Sequence, residues 1–115
     1  MQKKVQEAIK NAEHGEFFWA KWTTGDGFLR DSPCLVLSKH RDVHDEIIIL
    51  KCTSQNAKSN FDVPVTIKNR TVYVRTNKIY TIQRDQLTNP LKGNFSPAGY
   101  TTVIEKVKEA QNIEQ

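Results

Sequence analysis

Apolar residues recur at helical spacing near the two ends of the chain and at strand spacing between them. Val5, Ala8, Ile9 and Ala12 form one stripe among Lys, Gln and Glu, which predicts a short amphipathic helix over 2–13 with Gly15 placed to end it. Val103, Ile104, Val107 and Ala110 form another, predicting a helix over 98–112 with Ser96 and Pro97 as its N-cap and first helical residue. Between them lie short runs rich in Val, Ile, Phe, Tyr and Thr, the residues that suit a pleated surface. They predict strands at 16–22 (EFFWAKW), 33–38 (PCLVLS), 47–52 (IIILKC), 61–67 (FDVPVTI) and 71–76. IIILKC is apolar on both sides and so central, whereas Pro64 demotes its strand to an edge. After Asn77 and Lys78 the pattern of IYTI falls out of register, which predicts a bulge there. The segment LTNPLKGNFSPAGY reads as turns.

Strands that do not alternate with helices exclude a doubly wound parallel sheet. The expected class is mainly β (α+β): a small, strongly curved antiparallel barrel over about 16–97, with an N-terminal helix (1–14) appended and a C-terminal helix behind it. At 115 residues, the chain is expected to be a single domain, 1–115.

Composition narrows the class. The longest apolar run, IIIL at 47–50, is far shorter than the ~20 residues that span a bilayer, so no membrane association is expected. The first sixteen residues hold no apolar signal-like core, and a cytoplasmic protein is expected. Cys34 and Cys52 each adjoin apolar residues and predict buried, reduced thiols. His14, His40 and His44 share no metal spacing with them, so neither a metal site nor any other cofactor is expected.

The net charge of +4 is modest, but residues 68–92 hold Lys68, Arg70, Arg75, Lys78, Arg84 and Lys92 against Asp85 alone. Such a window is either a solvated face or a surface for an anionic partner, nucleic acid first among them. Within it lies VYVRTNKIYTI (72–82), where Arg75 and Asn77 are two apart and share a strand face beside Tyr73. Two further places could carry chemistry. Arg30 follows the TTGDGF loop, and Thr53, Ser54 and Gln55 follow the central strand, where they could bind a phosphate oxygen or merely form a turn. No P-loop, Rossmann fingerprint, GxSxG or HExxH is present.

Taken in order, PCLVLS, the Thr-Ser at the end of IIILKCTSQ, VRTNKIYTI and KGNFSP before the last helix resemble the MazF/PemK type of toxin from toxin–antitoxin pairs, from about Gly15 to about Val107. The order of the four segments, rather than any one, carries the resemblance. It implies an SH3-like antiparallel barrel that forms a homodimer. It also implies metal-independent cleavage of single-stranded RNA, in which the ribose 2′-hydroxyl attacks its own phosphate, and inhibition by an acidic antitoxin. On matching positions Arg75 and Thr53 become catalytic candidates, and Arg30, two residues before Ser32, is a third that could supply the charge the family places there. Ser54, Gln55, Asn77, Lys78, Trp22 and Tyr73 become the substrate-binding ones, with Trp22 and Tyr73 as base-stacking groups. WAKW places Trp19 and Trp22 on opposite strand faces, so one of them belongs to the core. The chain departs from the family pattern at two points. Ser32 stands where the family has Arg before its Pro, and Asn77 stands where some members have Asp. A non-catalytic nucleic-acid-binding barrel and a protein-interaction module are the alternatives.

Overall fold

A computed structural model describes residues 3–12, 14–23, 27, 29–38, 46–55, 59–67, 69–91 and 97–111. Helix α1 (Lys3–Lys10) is followed by β1 (Phe17–Thr23), β2 (Leu29–Val36), β3 (Glu46–Thr53), β4 (Asp62–Ile67), β5 (Arg70–Gln83), a 3-10 turn (Arg84–Gln86), β6 (Leu87–Leu91) and α2 (Pro97–Ala110). The strands form one antiparallel sheet in the order β4-β5-β3-β2-β1-β6. The end strands β4 and β6 do not pair among the described residues, so the expected barrel takes the form of a six-stranded sheet left open.

Both faces of the sheet are covered. Neighbouring strand residues point to opposite sides, and the core divides accordingly. Phe17, Leu35, Leu50 and Val74 pack with Val103 and Val107 of α2, while Phe18, Val36, Ile47 and Ile49 pack with Ala12 and, at the margin, Ala8 and Ile9 of α1. The two apolar stripes read from the sequence are thus the two helical lids. Gly15, at φ +88°, turns the chain from α1 into the sheet, and its N–H donates to the Val36 carbonyl at 2.9 Å.

Three details set up the site. Pro64 does lie on an edge strand, β4. The bulge expected at Asn77–Lys78 is present: Leu50 pairs with Ile79 and Cys52 with Val74, so two steps along β3 oppose five along β5. Finally, β2 begins four residues before the expected start, because Leu29–Ser32 extend the hairpin with β1 through Thr23↔Leu29, Trp22↔Arg30, Lys21↔Asp31 and Ala20↔Ser32. Arg30, which follows the Gly-containing loop as expected, is therefore part of β2; the ladder overrides the weak strand preference of Arg-Asp-Ser. A further correction concerns 87–91. LTNPL is not a turn but β6, paired with β1 from Phe17↔Leu91 to Ala20↔Leu87. Pro90 is tolerated there because β6 is an edge. Ser96, most of the TTGDGF loop, 39–45 and KGNFS lie outside the described residues.

Candidate functional site

A cleft of about 680 Å³ opens between the beginning of β2 and the end of β3. Its origin can be followed to one residue. The Val36 N–H donates to Glu16 on the β1 side, and the next N–H, of Leu37, donates to Ile48 of β3. Alternation of this ladder aims the backbone of Pro33 at β3. Proline has no N–H to offer, and the β2–β3 pairing ends one residue later in the chain, at Cys34↔Lys51. Arg30, Asp31, Ser32 and Pro33 form one wall of the cleft. Lys51, Cys52, Thr53, Ser54 and Gln55 form the facing wall. Ile67, Arg70, Val72 and Arg75 of the β4–β5 hairpin close one end, and Trp19 and Leu91 complete it.

All three catalytic candidates, Arg30, Thr53 and Arg75, therefore meet in this cleft, with Ser54 and Gln55 beside them. The Thr53 hydroxyl oxygen accepts a bond from the Gln55 N–H at 3.2 Å, so the turn expected of this segment forms, and the O–H is left to donate. The other four substrate-binding candidates do not line the cleft. Tyr73 is half-buried, opposite Thr53 and Pro64 in the ladders. Asn77 and Lys78 lie within the extra residues of the β5 bulge. Trp22 packs edge-on against Tyr80 at 5.5 Å between ring centroids, with the Lys51 ammonium 5.6 Å from its own ring. Of the two tryptophans, Trp22 joins the core packing and Trp19, 37% exposed, lines the cleft.

Four groups had not been singled out as site residues from the sequence. Lys51 and Arg70 bring the cations lining the cleft to four, with Arg30 and Arg75, and Asp31 is the one carboxylate among its described lining residues. The fourth is Asp62, at the start of β4 directly opposite Arg75, with Oδ1 3.5 Å from Arg75 Nε. Its side chain is fully buried, whereas that of Arg75 is 23% exposed. Arg70 could have been picked out from the basic window; Asp62 could not, because its proximity to Arg75 is created by the β4–β5 register.

Cys52 also touches the cleft, but it is a buried free thiol, as is Cys34. Burial pushes the Cys34 thiol up to about 12 and that of Cys52 well above its ordinary value. Neither supplies a thiolate near neutral pH, so a nucleophile in this cleft would have to come from elsewhere. What the arrangement offers instead is positive charge, a hydroxyl donor and one carboxylate around a space open to solvent, which suits the recognition of a phosphodiester.

No family model matches the chain, and no curated protein matches it. Solved structures do. An endoribonuclease in complex with its cognate antitoxin from a mycobacterial species superposes with a TM-score of 0.70 at 20% identity, covering 86% of this chain and 93% of that one. The chain has the fold of MazF toxins. The Mycobacterium tuberculosis toxin MazF-mt6 matches with a TM-score of 0.69 at 17% identity over 87% of this chain and 99% of its own, and a MazE–MazF structure from Deinococcus radiodurans with 0.69 at 16% over 90% and 97%. These MazF chains are matched over nearly their whole length, so the cleft described above is built on a scaffold common to them. No described helix is long and apolar enough to cross a membrane.

Proposed function

We propose that this protein is a MazF-type toxin that cleaves single-stranded RNA, works as a homodimer in the cytoplasm and is silenced by an acidic antitoxin. The observation that carries the reading is the convergence of Arg30, Thr53 and Arg75, from three strands, on one cationic cleft of a MazF fold. In this reading the ribose 2′-oxygen forms a bond to the adjacent phosphorus as the bond from phosphorus to the 5′-oxygen breaks, leaving a 2′,3′-cyclic phosphate and a 5′-hydroxyl. The nucleophile is part of the substrate, so positioning and charge neutralisation are the protein's main tasks. The guanidinium of Arg75 grips the phosphate oxygens and stabilises the charge-rich phosphorane. Because an arginine stays protonated at any working pH, it acts as an electrostatic clamp and the leaving oxygen takes its proton from solvent. Thr53 donates to a phosphate oxygen, and Asp31, the one carboxylate among the described lining residues, is the candidate acceptor of the 2′-proton. Arg30, Arg70 and Lys51 hold flanking phosphates. The same cations suit an acidic antitoxin segment, and two of the similar structures carry an antitoxin.

The test is incubation of the purified protein with several unrelated RNAs in excess chelator. Scission leaving cyclic phosphate ends is expected, and Arg75→Ala should slow it by ~10²–10³-fold, the usual effect of removing one oxyanion donor. No scission at micromolar protein would overturn the enzymatic reading. Ser32 and Asn77 favour the second reading, a non-catalytic RNA binder, which predicts salt-sensitive binding without any cut.

A further inference from the structure

Arg75 is held by a carboxylate that the local sequence does not supply. Asp62 and Arg75 are direct cross-strand partners, and Oδ1 sits 3.5 Å from Nε, an ion pair at contact distance in which neither of these two buried atoms completes a hydrogen bond. The turn that leads into Asp62 is pinned to β5 one residue beyond Arg75. The Thr76 N–H and hydroxyl both donate to the Phe61 carbonyl, at 3.1 and 2.5 Å, and Thr76 is fully buried. The backbone that carries the carboxylate is thus fixed from the turn as well as from the ladder.

We infer that Asp62 is the positioning residue for Arg75: it anchors the Nε edge of the guanidinium so that the outer edge is presented to the phosphate in the cleft. This rests on the proposed cleavage reaction and adds a residue to it. A guanidinium is a rigid planar fork, so a buried negative charge close to Nε draws that edge inward and leaves the terminal nitrogens outward. A long side chain free in solvent would have to be ordered each time substrate binds; one already held by a buried carboxylate is not. Asp62 makes no contact with the cleft itself, since it is buried and absent from the lining. It acts through Arg75, whose own strand carries Asn77 and no carboxylate two residues along.

The experiment is steady-state cleavage of a fluorogenic RNA by wild type, Asp62→Asn, Arg75→Ala and the double variant, with melting temperatures alongside. D62N keeps the shape and removes the charge. It should lower kcat on the order of 10- to 100-fold with KM within about threefold. The double variant should be no slower than R75A alone, because both substitutions disable one device. Should D62N fail to fold, Arg75→Lys keeps a cation at the site but offers no Nε and no fork. It should lose activity to a similar degree, and wild-type kcat in R75K would overturn the inference. So would a folded D62N with kcat within twofold of wild type, or a double variant whose losses multiply. In each of those cases the wild type still cuts, which separates them from failure of the ribonuclease reading, where the wild type cuts nothing and this inference falls with it.

Discussion

If RNA runs through the cleft, its affinity should depend on salt by an amount set by the cations that line it. Among the described residues, Arg30, Lys51, Arg70 and Arg75 offer four phosphate contacts. For a single strand, log K falls with log salt at a slope of about −0.7 per phosphate neutralised, so four contacts set a slope of about −2.8. Raising salt from ~50 to ~200 mM would then weaken binding about 50-fold. Arg70→Ala removes one contact and should bring the slope to about −2.1, or about 20-fold over the same range. Arg70 is suited to this measurement because it is exposed at the start of β5, away from the Asp62–Arg75 pair, so its loss should leave the fold intact. Fluorescence anisotropy with an oligonucleotide blocked at every 2′-hydroxyl reads binding without scission. A wild-type slope flatter than about −1, or an R70A slope equal to wild type, would refute the placement of RNA in this cleft.

Two predictions concern the scaffold. Arg84 is buried, and its Nη1 donates to the carbonyls of Ile9 and Ala12 at 2.9 and 3.1 Å, latching the end of α1 onto the sheet. Arg84→Met should cost about 3 kcal/mol and lower Tm by roughly 10 °C, with hydrogen exchange in α1 rising first; an unchanged Tm would remove the latch. The Cys34 thiol, pushed up to about 12 by burial, must stay neutral in the folded state, whereas the unfolded chain releases its proton near 9. Stability should therefore fall as pH rises above ~9, by up to about 1.4 kcal/mol per pH unit from this group. Urea titrations of wild type and Cys34→Ala at pH 8 and 10 check this: the variant should show the smaller fall, and equal falls would refute it.

The sequence made legible what depends on local pattern. The central strand IIILKC, the Pro64 edge, the break after Asn77 and both helical stripes are each written into a few neighbouring residues, and each lies where the pattern places it. Arg30, Thr53 and Arg75 could be named because charge and hydroxyl type are chemically selective. What escaped is what only pairing decides. LTNPL carries turn residues and becomes a strand because β1 leaves an edge for it. Arg30–Ser32 carry no strand pattern and are drawn into β2 by the hairpin. Trp22 and Tyr73 have the right chemistry for stacking on a base, but strand direction and packing keep them out of the cleft lining. Asp62 lies thirteen residues from Arg75 in sequence and opposite it in the sheet.

The cleft, and the place of Arg75 in it, follow from two departures from regular pairing on the two sides of β3 near its C-terminal end. On one side Pro33 withholds the N–H that would continue the β2–β3 ladder, and the walls at 30–33 and 51–55 part. On the other, β5 spends three surplus residues between its pairings with Cys52 and Leu50, and Arg75 stands at the start of that bulge. Regular pairing at both places would have filled the space with backbone hydrogen bonds and aligned Arg75 with its strand. The bulge instead leaves Arg75 paired with β4 alone, beside Asp62, with its side chain lining the opening. Position 77 of β5 holds Asn, and the carboxylate beside Arg75 is supplied by the neighbouring strand, at Asp62.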